Sequence, residues 1–215
     1  MENRWIATKI DINTVNWKGK PIQVTGVKAL KNSRTGSILV YPFEVARAEV
    51  KQMADCFGIL PRDLAAFLMI YAHPKYFKEG EVFYKYHLQK LLFYFWKCLE
   101  SQGYAESFPV DNFIAADNGP KPKHLNKDLE RLVKKKLITV RREKTEQGTE
   151  SKRIMLTKEG LIMAEELWNT LPDPYIRFAV KMKERIHPLT PERVRHLVHN
   201  EYPEYKDTYV KNDME

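Results

Sequence analysis

The chain has 215 residues, enough for one large domain or two small ones, and its 43% hydrophobic and 30% charged residues describe a globular chain with a core to bury. A net charge of +8 and a pI near 9.3 favour acidic partners, nucleic acid foremost. A membrane span is not expected, because the longest apolar-rich run, 88–99, is too short and holds Lys90 and Lys97; nor is a secretion signal, because residues 1–9 mix charge with single apolar residues.

Three strands are predicted first. Residues 5–12 alternate in pattern, residues 22–27 and 37–41 follow, and the turn signals Lys18-Gly19-Lys20-Pro21 and Asn32-Ser33-Arg34-Thr35-Gly36 separate them. An antiparallel meander over 1–44 is the simplest account, with one face packed on later helices, since three such strands are not stable alone. A helical segment, 45–81, comes next. Val45, Ala46, Val50, Met53, Ala54 and Phe57 recur at helical spacing up to Gly58, and Pro61 opens a second helix.

Residues 82–101 carry the strongest helical pattern. Leu88, Leu91, Leu92, Phe95 and Leu99 form one stripe, while Phe93, Tyr94 and Trp96 lie off it. Such a helix is either central to the fold or buries its second face in another subunit, and the second option predicts a homodimer. A short helix is expected over 110–115. A further helix follows over 123–136 with Leu125, Leu129, Leu132 and Val133 turned inward, then a strand (137–142), a hairpin tip at Glu146-Gln147-Gly148 and a return strand (152–156). Thr157 caps a helix running to Trp168. Helices over 175–186 and 191–200 and a frayed tail complete a C-terminal part, 171–215.

The charge is concentrated. Segment 119–144 holds ten Lys or Arg against Asp128, Glu130 and Glu143, a net +7. Within 82–170, helix, short helix, helix, strand, hairpin and strand read as a winged-helix core, making 123–136 the recognition helix. The expected DNA-binding residues are Lys121, Lys123, Asn126, Lys127, Arg131 and Lys134 on or beside that helix, and Arg141, Arg142, Lys144, Lys152 and Arg153 on the wing. The competing reading is a solvated basic face on a module that binds a protein.

Catalytic readings are poorer. The six histidines do not cluster along the sequence beyond His196 and His199, and no Gly-rich phosphate loop, GxSxG or HExxH is present. No catalytic residue, metal or cofactor is expected. Cys56 and Cys98 stand alone in apolar helical patterns and are expected as buried thiols in a reducing cytoplasm.

Several short motifs, spread over about 82–204, carry a resemblance. Leu88-Gln89-Lys90-Leu91-Leu92-Phe93, Asn118-Gly119-Pro120, Leu129-Glu130-Arg131-Leu132 with Leu137-Ile138, Leu156-Thr157-Lys158-Glu159-Gly160 and Tyr202-Pro203-Glu204 resemble the Panacea (SocA-like) antitoxin-associated domain and related prokaryotic winged-helix families. Asn118 stands where those families carry an aromatic. The resemblance implies a winged-helix-like fold and a role in regulation, antitoxin action or protein adaptation, with a toxin as one possible partner. It brings no catalytic residue. The expected protein is therefore α+β and mainly helical, with a winged-helix core behind an N-terminal antiparallel β-meander. Its expected function is duplex DNA binding by a cytoplasmic regulator; the alternative is a protein-binding adaptor or antitoxin-like module.

Overall fold

The computed structural model describes residues 4–15, 21–72, 81–82, 85–105, 108, 113–116, 118–144, 150–171 and 173–205. The fold is α+β, with seven α-helices and small antiparallel sheets among these residues.

Strands β1 (Trp5–Val15), β2 (Pro21–Asn32) and β3 (Ile38–Leu39) form the expected meander in the order β1-β2-β3. Alternation fixes its faces. Val24, Val27 and Ala29 of β2 are buried, and helix α1 (Pro42–Cys56) packs on them. Gln52 of α1 ties the layers, donating to the Gln23 carbonyl at 3.2 Å and accepting from the Thr25 amide at 3.4 Å. Pro42 is the first residue of α1, where its missing N–H costs nothing. Cys56 at the end of α1 is exposed, against expectation: the helix stops there and turns the thiol outward.

Helix α2 (Pro61–Tyr71) is buried all round and lies at the centre with helix α3 (Lys85–Ser101). Between them, β4 (Glu81–Val82) joins a second sheet. The rings that leave the main stripe of α3 are packed inside the protomer. Phe93 meets Phe113, Tyr202 and Tyr205 edge-on at 5.2, 4.9 and 5.1 Å between centroids. The Tyr94 hydroxyl donates to Glu201 at 2.8 Å, and Trp96 leans on Phe113. These contacts satisfy the residues that pointed to a subunit seam on α3.

The helix expected over 110–115 is corrected where it is described: Phe113–Ile114 is strand β5, paired with β6 (Lys121–Pro122). Residues 110–112 lie outside the described part, as do the hairpin tip 146–148 and the tail from 206. Helix α4 (Leu125–Lys134) leads to the hairpin β7 (Ile138–Lys144) and β8 (Glu150–Leu156), and the second sheet has the order β4-β8-β7. Helices α5 (Lys158–Thr170), α6 (Asp173–Ile186) and α7 (Pro191–Glu201) close the chain. No described helix is long and apolar enough to cross a membrane.

Candidate nucleic-acid interface

Helix α4 is amphipathic by spacing. Leu125, Leu129 and Leu132 are buried at 2%, 6% and 0% exposure, whereas Val133 is 42% exposed, not turned inward as expected. Leu137 N–H bonds the Leu132 carbonyl and Lys136 N–H bonds that of Val133, a Schellman closure with Lys136 at φ 58° where glycine is usual. The closure sends Leu137 and Ile138 inward, while Val133 faces the open cleft between α4 and the hairpin.

The Leu-Thr-x-x-Gly motif locks this turn from the other side. The Thr157 hydroxyl accepts from the Gly160 amide at 2.9 Å, capping α5, and donates to the Lys136 carbonyl at 2.6 Å. A Cβ on Gly160 would lie 2.0 Å from the Leu137 carbonyl oxygen. The glycine is required because α5 crosses the end of α4 at backbone contact.

A carboxylate–guanidinium network fixes α4 to α2. Arg131 donates Nε to Asp63 Oδ2 at 3.0 Å and Nη2 to Asp63 Oδ1 at 2.6 Å, and also pairs with Asp128. Arg62 closes on Asp128 at 2.8 Å. Both aspartates are almost wholly buried. The hydrogen bonds that Arg131 donates to Asp63 hold it more firmly charged than a free guanidinium, while burial pushes the Asp128 carboxyl above its ordinary value in spite of its two cations. Arg131 was expected to face DNA. It pairs with both aspartates, yet its side chain stays 30% exposed and borders the cleft between α4 and the hairpin.

The remaining predicted residues fall in two groups. Asn126, Lys127 and Lys134 are exposed on α4, and Lys121 and Lys123 are exposed just before it. On the hairpin, Arg141 stands opposite Arg153 and Arg142 opposite Lys152. Opposed residues share a sheet face and neighbours alternate. Arg142, Lys144 and Lys152 therefore continue the face of Ile138, Val140 and Ile154, which is turned toward the core and α4. Arg141 and Arg153 lie on the reverse face, where Arg153 meets Glu143 at 3.4 Å. Like charges on opposite rungs destabilise a hairpin, and here two consecutive rungs carry them.

Between α4 and the hairpin lies a cleft of about 800 Å3, lined by Asn126, Lys127, Glu130, Lys134 and Lys152, with Val133 and Val140 as its apolar floor. The sequence reading missed its further cation, Lys85, the first residue of α3, whose Nζ bonds Asn126 Oδ1. Burial, then the nearby charges of Lys152 and Lys121, hold the Lys85 ammonium below its ordinary value, with Glu130 pulling it back up. No sequence periodicity links residue 85 to α4; only the tertiary fold does.

Two other motif pieces meet at the start of this region. Lys90, fully buried, donates to the Pro120 carbonyl at 2.6 Å. Gly119, at φ +84°, brings its backbone against Val198 and His199 of α7, and a Cβ there would lie 3.1 Å from Val198. Burial, with some help from Lys121, brings the Lys90 ammonium down to about 7. The histidines also come together in a way that spacing hid: His87 and His187 face each other at 6.4 Å between ring centroids, and burial lowers both, His187 to about 4. His196 is exposed beside Glu192. A separate cavity of about 540 Å3 lies between β2, α1 and α5 and includes Glu49, Cys56 and Glu166.

No protein-family model matches this chain, and no curated protein matches it significantly.

Proposed function

We propose that this protein is a winged-helix regulator that binds duplex DNA with α4 and the β7–β8 wing. The observation that carries the proposal is the like-charged rung Arg142–Lys152 on a hairpin bordering a lysine-lined cleft. Stability alone disfavours that arrangement, and a polyanion relieves it. Strand order supports the fold assignment: β4 precedes α3 and α4, and the hairpin follows, in a sheet ordered β4-β8-β7. In this reading Lys121, Lys123, Lys127, Lys134, Arg142, Lys144, Lys152 and Lys85 neutralise phosphates, Asn126 meets base edges, and Arg131 holds the helix in place. Two free thiols suit a reducing cytoplasm.

The runner-up is a protein-binding adaptor or antitoxin-like module. Exposed Val133 beside Glu130 in the cleft favours it, because an apolar floor with a carboxylate suits a protein surface better than a phosphate chain. Fluorescence polarisation with a labelled duplex separates the two. Loss of affinity in a Lys127→Ala/Lys134→Ala variant supports DNA binding, and unchanged affinity in both that variant and Arg142→Ala/Lys152→Ala supports the adaptor.

A further inference from the structure

We infer that β1 is a homodimerisation strand: two copies pair antiparallel along the outer edges of Trp5–Val15, with Lys9 of each opposite Asp11 of the other. Among the described residues β1 pairs only with β2, so its eleven residues form one edge of the sheet. Unpaired edges of this length template the addition of another strand.

The edge is regular. The one break in β1–β2 register lies between Ile10 and Ile12, where Thr25 and Gly26 of β2 face the single residue Asp11. The bulge therefore sits on β2, closed by Gly26 at φ +69° donating to Asp11 Oδ1 at 2.9 Å. Nothing on β1 itself twists the free edge away.

The sequence of β1 is self-complementary in one register. Keeping both copies' inner faces on the same side of a joint sheet allows only even steps of register. Full overlap puts Trp5 opposite Val15, Ala7 opposite Asn13, Lys9 opposite Asp11 and Ile10 opposite itself. One step either way sets Lys9 against Lys9 or Asp11 against Asp11. The register with the longest overlap is thus the one that pairs opposite charges.

Burial agrees with this pairing. Thr8, Ile10, Ile12 and Thr14 share the face of buried Val24, Val27 and Ala29 but are only half-buried, since α1 packs on β2. Pairing would bring Ile10 against Ile10 and Thr8 against Ile12. On the other face, Trp5 and Val15, 48% and 63% exposed, become an aromatic–β-branched cross-strand pair. The six-stranded sheet so formed ends on β3, whose two residues make a poor template for further growth.

Sedimentation equilibrium tests the inference. The wild-type chain should be dimeric. Lys9→Asp and Asp11→Lys each place like charges on two symmetry-related rungs and should weaken the dimer at least about tenfold. An equimolar mixture of the two variants should form a heterodimer, and the double variant should regain the homodimer. Circular dichroism checks that each folds, and Lys9→Asp stands alone if loss of the Gly26 bond unfolds Asp11→Lys. A wild-type monomer at high micromolar concentration, a Lys9→Asp dimer as tight as wild type, or two folded variants that do not associate would each overturn it.

Discussion

Arg131 grips Asp63 across 68 residues of sequence through two hydrogen bonds, Nε to Oδ2 at 3.0 Å and Nη2 to Oδ1 at 2.6 Å. The pair makes the orientation of α4 on α2 a matter of charge as well as of leucine packing. It also divides the cations of α4 into one that builds the helix position and several that face solvent.

That division is measurable. Arg131→Ala strands a carboxylate that is 1% exposed, and should cost about 2 kcal/mol, below the usual cost of breaking a buried pair because the arginine is partly solvated. Lys127→Ala/Lys134→Ala should leave stability within about 0.5 kcal/mol of wild type, yet weaken DNA binding by about 2 kcal/mol at ~1 kcal/mol per contact. Urea unfolding read beside polarisation titrations checks both halves.

The hairpin should trade stability for binding. Arg142→Thr removes a like-charge rung opposite Lys152, so the unfolding free energy should rise by about 0.2–1 kcal/mol. The same change should lower DNA affinity and reduce the salt slope by about one unit. A variant that loses stability and keeps its affinity would place the rung outside the binding surface.

Lys90 sets a pH dependence. Its folded-state value of about 7 lies below the ordinary lysine value of 10.5. Between these limits the unfolded chain holds a proton that the folded chain has released, so stability rises with pH. The burial penalty is fully present below pH 7 and is relieved as pH climbs toward 10.5, with a slope of at most about 1.4 kcal/mol per pH unit. Lys90→Met should abolish this component, so the wild-type minus variant difference in unfolding free energy should change steadily from pH 7 to 10. A difference independent of pH would show that Lys90 stays charged in its pocket.

The fold was legible where one residue pattern faced one environment. The alternation of β1 and β2, Pro61 opening α2, the leucine stripe of α4 and the cap at Thr157 all act locally, and each appears as expected. Strands β5 and β6 were not legible, because two residues carry no period and their pairing comes from packing against α3. Of the candidate site, the exposed lysines of α4 and the wing cations could be read from charge. The roles of Arg131 and Lys85 could not, since Asp63 and Asn126 reach them only through the tertiary fold. The exposure of Val133 was not legible either, since helical periodicity does not show that the space beside it is an open cleft.

The junction of α4, β7 and α5 has no slack. Gly160→Ala should cost at least about 2 kcal/mol, because the added carbon meets a backbone carbonyl 2.0 Å away that cannot swing aside. Thr157→Val, which loses the cap and the bond to Lys136, should cost about 1–2 kcal/mol. Thermal unfolding of the two variants gives the ranking directly.

The most direct test of the account is the affinity of the wild-type chain for a labelled duplex as a function of salt. With six or more cations around the cleft reaching phosphates, affinity should fall by about three orders of magnitude or more between roughly 50 and 200 mM salt. Absence of binding at the low-salt end, or an affinity that does not change with salt, would contradict it.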